Sequence, residues 1–330
     1  MTAAPSVVAD DVLAGLLARH YGLSGRIKVL SSEVEGTAEV TLPDSTRLIL
    51  KTSTQPEAVD SFAFQSAAIM AVEKGTGFVA PRLLPTQGGA RIFEHDGVSG
   101  YLQTCVTGTP LHLMPRTSDL LLDAGRALGQ LDLALSRGDL PAMARPVLWH
   151  VGCWSRLMEL QQYLPSGPVA DAVGAAMAAF LKLVEPRMGD LPWQVTHNDP
   201  SPFNMLSTDA GIAFIDFGDG CWAPRIQDLT IAASHSVGDP LRPLGGAEDL
   251  IAGYASVLPL SQLEITLLFG LMKARQSVLI LVNYWRAQLF PDNAAYIKKN
   301  VARAEQGLSI LSALNAQDGR AAVAEATVTA

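Results

Sequence analysis

Lysine is scarce in this sequence, with seven residues in 330. Arginine does not redress the balance: Lys and Arg together number 24 against 32 Asp and Glu, a net charge of -8. Holding a phosphate backbone takes clustered cations, so the composition argues against nucleic acid as the main partner and leaves room for a cationic small molecule. Cysteine is nearly as rare. Cys105, Cys153 and Cys221 are odd in number, widely spaced and without a CxxC, which suggests buried thiols rather than a disulfide framework or a zinc site. No apolar run approaches the ~18 residues of a membrane span, and the first residues lack a basic stretch ahead of an apolar core. A cytoplasmic protein with no membrane partner is the expectation. Histidines at 150, 197 and 235 show neither H-E-x-x-H nor H-x-H spacing, which gives no support to a metallohydrolase.

What is present is apolar mass and one concentrated motif. Hydrophobic residues make up 48% of the chain, and its length allows two lobes with separate cores. The motif is Val195-Thr196-His197-Asn198-Asp199-Pro200-Ser201-Pro202-Phe203-Asn204, followed by Ile212-Ala213-Phe214-Ile215-Asp216-Phe217-Gly218-Asp219. Trp193 to Thr196 reads as a strand entering a loop, Asn204 to Ser207 as a second strand, Asp209-Ala210-Gly211 as a turn and Ile212 to Ile215 as the return. Such a hairpin sets Asn204 beside Asp216 and projects Asp199 above them. Taken singly, Asn and Asp at hairpin corners are ordinary turn residues. Taken together, they suit magnesium, which accepts one or two protein oxygens and takes the rest from phosphate and water. His-Asn-Asp alone is expected by chance only roughly 0.007 times in this composition.

The pattern H-x-D-x4-N followed by D-F-G resembles the catalytic and metal loops of protein-kinase-like phosphotransferases. Pro202 before Asn204 and Ile-Asp-Phe-Gly-Asp bring it closer to the aminoglycoside phosphotransferase and choline kinase superfamily. Ser31-Ser32-Glu33 and the stretch from Ser277 to Asn293 resemble the hydroxylysine kinase branch. The resemblance implies an α+β, bilobal fold: an N-terminal nucleotide-binding lobe over 1-106, built on a small antiparallel sheet, and a larger helical catalytic lobe over 107-330. It implies ATP and Mg2+, with Asp199 as the catalytic residue and Asn204 and Asp216 on the metal. His197 would hold the loop through backbone hydrogen bonds. Asp228, in Pro224-Arg225-Ile226-Gln227-Asp228-Leu229-Thr230-Ile231-Ala232, would anchor the loop from below, although a first-turn Asp is also favoured by the helix dipole alone.

Along the chain, Asp10 to His20 reads as a helix and Arg26-Ser32, Gly36-Leu42 and Arg47-Thr52 as strands. The loop from Ser31 to Ala38 carries one glycine, Gly36, and no G-x-G-x-x-G. Lys51 ends its strand where the resemblance places the lysine that contacts nucleotide phosphates. The helix from about Glu57 to Lys74 should supply that lysine with an acid, yet the aligned segment is Phe64-Gln65-Ser66-Ala67. Asp60, Gln65 or Glu57 could stand in. Gly108-Thr109-Pro110-Leu111 resembles the element that joins the lobes, so adenine would meet backbone around Gln103, Cys105 and Val106.

Helices are expected at 118-136, 150-164, 169-185, 226-236, 262-289 and 292-313, with an Ala-rich tail frayed beyond Asp318. The implied reaction is transfer of the ATP γ-phosphate to a hydroxyl of a small amine-bearing acceptor: hydroxylysine-like, amino sugar or amino alcohol. Asp219, Trp222 and Tyr284 are the candidate acceptor residues, since a carboxylate with aromatic faces suits a cation. The alternative is a catalytically silent nucleotide-binding module.

Overall fold

The computed structural model describes residues 8-30, 35-138, 140, 147-297 and 301-328. Ser31 to Val34, half of the nucleotide-loop reading, lie outside the described residues. The chain opens with α1 (Asp10–Tyr21), which ends on Gly22 at φ 65, a left-handed C-cap that glycine adopts without steric cost. β1 (Arg26–Leu30), β2 (Gly36–Thr41) and β3 (Arg47–Ser53) follow, then α2 (Ala58–Val72), β4 (Leu83–Leu84), β5 (Phe93–His95) and β6 (Val98–Thr104). These strands form one antiparallel sheet in the order β1-β2-β3-β6-β4, with β5 on β6. Alternation puts Val40, Leu48, Leu50 and Leu102 on one face, where they pack with Leu13, Leu16 and Leu17 of α1 as a separate core. Lys51, one position on from Leu50, faces the other way.

After β7 (Thr109–Pro110) the chain is mainly helical. Thr117 caps α3 (Ser118–Arg137) by accepting from Leu120 N. A 3₁₀ stretch over Val151–Tyr163 stands where a helix was expected, and α4 (Pro168–Ala179) continues as a π turn, Phe180–Val184. β8 (Trp193–Thr196) pairs with β11 (Cys221–Pro224), while β9 (Met205–Thr208) and β10 (Gly211–Phe214) form the expected hairpin. α5 (Ile226–Ser236), α6 (Ala247–Val257), α7 (Gln262–Leu289), α8 (Ala294–Ile297), α9 (Val301–Ser312) and α10 (Ala316–Ala326) complete the chain.

Pro291–Asn293 forms a 3₁₀ turn ahead of the short α8, where a helix was expected from 292. One expectation fails here. The Ala-rich tail is ordered as α10, because Asn315 caps it at Gln317 N and Asp318 N and Ala322, Val323 and Ala326 bury one face. Small side chains are what permit that packing: Gly319 lies directly against the Phe269 ring of α7.

α7 is long and apolar enough to cross a membrane by length and composition, but 72% of its most apolar window is buried in the large core. Its start is fixed twice. Ser261 and Glu264 form a capping box, and Glu264 also receives both Arg225 nitrogens, at 2.6 and 2.7 Å. A cap is worth about 1 kcal/mol, and the bidentate pair adds direction by tying the start of α5 to α7. Elsewhere α3 and α6 approach until Gly125 meets the Leu250 carbonyl and Gly253 meets the Leu122 carbonyl. Further along this contact the Tyr254 hydroxyl donates to Asp132 at 2.6 Å.

Candidate active site

The β9-β10 hairpin sets the geometry of the candidate site. Ile215 N donates to Asn204 O at 3.0 Å, which extends the ladder one step and places Asp216 next to Asn204. The loop before β9 is held from beneath by Asp228 on α5, whose two carboxylate oxygens accept from His197 N and Asn198 N, each at 2.7 Å. Burial pushes Asp228 up to about 6, with those two donors working against the shift. Asp132, raised well above the usual range by burial and then by the charge of Asp228, stands behind it.

Asn198 sits at φ 62 and Asp216 at φ 64, left-handed conformations that are uncommon away from glycine and concentrate where function imposes them. Asn198 is locked there. Its amide donates to Asp219 O at 3.0 Å and its carbonyl accepts from Gln227. His197 is buried and neutral, its pKa lowered to about 4 by desolvation. Its Nδ1 accepts from Asp199 N at 3.3 Å, so the proton lies on Nε2, which donates to Ile215 O at 3.1 Å. The ring thus ties the backbone at Asp199 to the backbone at Ile215.

Asp199 and Asp216 are pushed in opposite directions. Burial raises Asp199 to about 7, and Asn204 Nδ2 donates to its Oδ2 at 2.6 Å, which orients it. Asp216 is lowered, first by the charge of Lys51, whose Nζ stands 3.1 Å from its Oδ1. Its side chain remains 47% exposed. With the Asn204 nitrogen spent on Asp199, its amide oxygen and the Asp216 carboxylate are the hard donors of the site. They fit a divalent cation completed by phosphate and water. Among the described residues no group of three His, Cys, Asp or Glu offers an all-protein metal site.

The acid expected for Lys51 on the second helix comes from elsewhere. Glu35, just ahead of β2, lies 3.9 Å from Lys51 Nζ, and both residues are buried. Gln65 on α2 is the adaptor: its nitrogen donates to Glu35 at 2.6 Å and its oxygen accepts from Tyr101 at 2.8 Å, while Ser61 also donates to Glu35. Desolvation works against the Lys51 ammonium, but Asp216 and Glu35 outweigh it, and its pKa stays above the ordinary lysine value.

The remaining candidates divide. Gly36 opens β2 opposite Thr52, where an added Cβ would fall 2.8 Å from the Thr52 hydroxyl oxygen. Gln103 is buried in β6 between β3 and β4. Cys105 has its N–H committed to Arg47 O and Thr104 its own to Arg82 O, which shifts any base contact in this segment toward Val106 and carbonyl oxygens. Asp219 lies within electrostatic reach of both Asp199 and Lys51. Trp222 is half-exposed on β11, its carbonyl accepting from His150. Tyr284 stands apart, its hydroxyl donating to Glu305 of α9.

One residue outside these candidates joins the site. Arg275 of α7 is buried, with its guanidinium 4.9 Å from the centre of the Trp149 ring and its charge felt by Asp199 and Asp219. The available signal was a lone guanidinium within the apolar run of α7.

Known proteins agree with this architecture. The mouse hydroxylysine kinase is 23% identical over 284 residues, 78% of this chain and 74% of its own. The zebrafish (Danio rerio) hydroxylysine kinase is 24% identical across 90% of this chain and 88% of its own. Among solved structures, an amicoumacin kinase in complex with AMP-PNP, Ca2+ and its ligand superposes with a TM-score of 0.70 at 13% identity, covering 94% of this chain and 95% of its own. A microcompartment-associated aminopropanol kinase gives 0.69 at 19%, covering 94% and 99%. These structural likenesses establish the fold as the bilobal, kinase-like α+β arrangement. The description of the phosphotransferase enzyme family matches residues 26–260, most of the chain, and with the loop, hairpin and sheet described above the protein belongs to that family.

Proposed function

We propose that this phosphotransferase moves the γ-phosphate of ATP to a hydroxyl of a small amine-bearing acceptor. The observation that carries the reading is the opposed pair of carboxylates: Asp199 raised to about 7 and Asp216 held ionised by Lys51. Environments that drive two acids apart assign a proton acceptor and a permanent charge. Asp199, oriented by Asn204, takes the acceptor proton as the hydroxyl oxygen bonds to phosphorus. Lys51, fixed between Glu35 and Asp216, positions the α and β phosphates. Asn204 and Asp216 would hold magnesium, which when bound neutralises charge on the transferring group. Transfer through a loose transition state depends mainly on such alignment and neutralisation.

The silent-module alternative rested on the missing helix acid, and Glu35 beside Lys51 removes that support. The carboxylate of Asp219 close to Asp199 favours a cationic acceptor, and the names of the hydroxylysine and aminopropanol kinases point to the same class. The test is ADP release by purified protein against hydroxylated amines, amino sugars and neutral sugars. Turnover confined to amines supports the reading. Turnover only on neutral sugars, with Asp219→Ala leaving KM unchanged, removes the cationic acceptor and keeps the kinase.

A further inference from the structure

We propose that Arg275 is the carboxylate-binding residue of the acceptor site, so that the acceptor is a hydroxylated amino acid rather than an amino sugar or an amino alcohol. The proposal rests on the phosphotransfer reading above for the placing of the acceptor beside Asp199.

Arg275 is 3% exposed, yet its Nε and Nη1 have no hydrogen-bond partner among the described residues. Its packing partner is the face of Trp149, which supplies no acceptor for its N–H groups. A guanidinium keeps its charge at any physiological pH and carries five donors, so burying one with unsatisfied donors costs stability. Proteins keep such groups where function uses them. Asp199 and Asp219 act on Arg275 through space. On its other side His235 of α5 feels Arg275, Arg303 and Arg116 together. In a chain of net charge -8, Arg275 therefore forms a cationic end to the acceptor region, with Asp199 and Asp219 the anionic end.

A molecule matching both ends carries an ammonium and a carboxylate. The ammonium falls to Asp219, because Asp199 must address the hydroxyl. The carboxylate falls to Arg275, whose planar donors suit a carboxylate better than a lysine would. An amino alcohol or amino sugar offers hydroxyl oxygens but no negative charge and no paired carboxylate oxygens to match the buried guanidinium.

The test uses the full-length protein and acceptor pairs differing only in the carboxylate: 5-hydroxylysine with its decarboxylated diamine, and serine, threonine and homoserine with their amino alcohols. Binding is measured by calorimetry with and without Mg2+ and AMP-PNP, and ADP release is followed in parallel. Wild type should bind at least one amino acid 30-fold or more tighter than its decarboxylated partner. Arg275→Met should narrow that ratio to under threefold, acting on KM more than kcat, and Arg275→Lys should fall between. Because Arg275→Met also removes a buried, unpaired charge, its melting temperature should equal or exceed that of wild type. Three results overturn the proposal: no carboxylate preference in wild type or no amino acid bound, equal losses of kcat for both members of a pair, which would assign Arg275 to the phosphoryl group, or a lowered melting temperature with an unchanged ratio. Carboxylate-dependent binding without ADP release would keep this site and remove the kinase reading. ADP release indifferent to the carboxylate would do the reverse.

Discussion

Two buried cations flank the catalytic carboxylates, and the protein treats them differently. Lys51 is enclosed by its own chain: Asp216 at 3.1 Å, Glu35 at 3.9 Å, and Gln65, Ser61 and Tyr101 arranged behind them. Arg275 is buried as deeply and given an aromatic face but, among the described residues, no acceptor for Nε or Nη1. Their pKa values shift in opposite directions accordingly, Lys51 above its ordinary value and Arg275 down to about 10 as burial outweighs the two carboxylates. The Lys51 network is pre-organised by internal pairing, whereas the proposed acceptor side, at Arg275, holds interaction in reserve. A site that serves one fixed co-substrate can complete its own network. One that must choose among acceptors leaves a part of it open.

The largest effect expected from breaking this arrangement is at Asp199. Asp199→Asn keeps the shape and removes the proton acceptor, so kcat should fall about 10²–10⁴-fold while nucleotide affinity is retained. Wild-type-like turnover would refute its role. Asp216→Ala strips Lys51 of its nearer partner and the site of its exposed carboxylate, and both turnover and magnesium-dependent nucleotide affinity should drop by about tenfold or more. An unchanged magnesium titration would place the metal elsewhere.

Glu35→Gln sharpens the comparison. It should raise the KM for ATP by about tenfold, the equivalent of one pKa unit of lost interaction, with little effect on acceptor KM. Adding Gln65→Glu returns an acid to the network, where Tyr101 can still donate to it, and should restore most of the loss. If the double variant is no better than Glu35→Gln, the carboxylate matters only from the β2 side.

Protonation gives the smallest and most specific signal. With Asp199 near 7, kcat/KM should rise with pH through that value, and His197, near 4, should add no inflection above pH 5. Because folding raises the Asp199 pKa from 3.8, its stabilising share is full below pH 3.8 and lost as pH rises through about 7. Asp199→Asn should therefore melt higher than wild type at pH 8, the gap closing toward pH 4. A gap that widens on acidification would reverse the assignment.

Much of the catalytic loop was legible in the chain because its spacing is set by short-range geometry. A hairpin of fixed register must bring Asn204 beside Asp216, and an Asp in the first turn of α5 must point at the loop above it. The sheet and most helices follow from period and punctuation in the same way. What failed to read were contacts made across the fold. Glu35 reaches Lys51 over β2, and nothing local distinguishes it from Glu33 or Glu39. Arg275 becomes a site residue only when α7 crosses behind Asp199, and Tyr284, nine residues on, is carried about 13 Å along the axis to Glu305. The tail looked too Ala-rich to hold, but small residues are what let α10 lie flat on Phe269. α6 left a signal in Leu250, Ile251 and Tyr254 that an unremarkable Gly-rich lead-in obscured.

The glycine contact between α3 and α6 has a consequence for how this enzyme could be altered by chance. Gly125 and Gly253 set the distance between two backbones, and that distance decides whether Tyr254 reaches Asp132, behind Asp228 and so behind the catalytic loop. A single added methyl group would push the two helices apart and should loosen the support of the loop that carries Asp199. Random mutagenesis should accordingly recover inactive proteins that still bind both substrates, with lesions at a helix crossing that no map of ligand contacts would include.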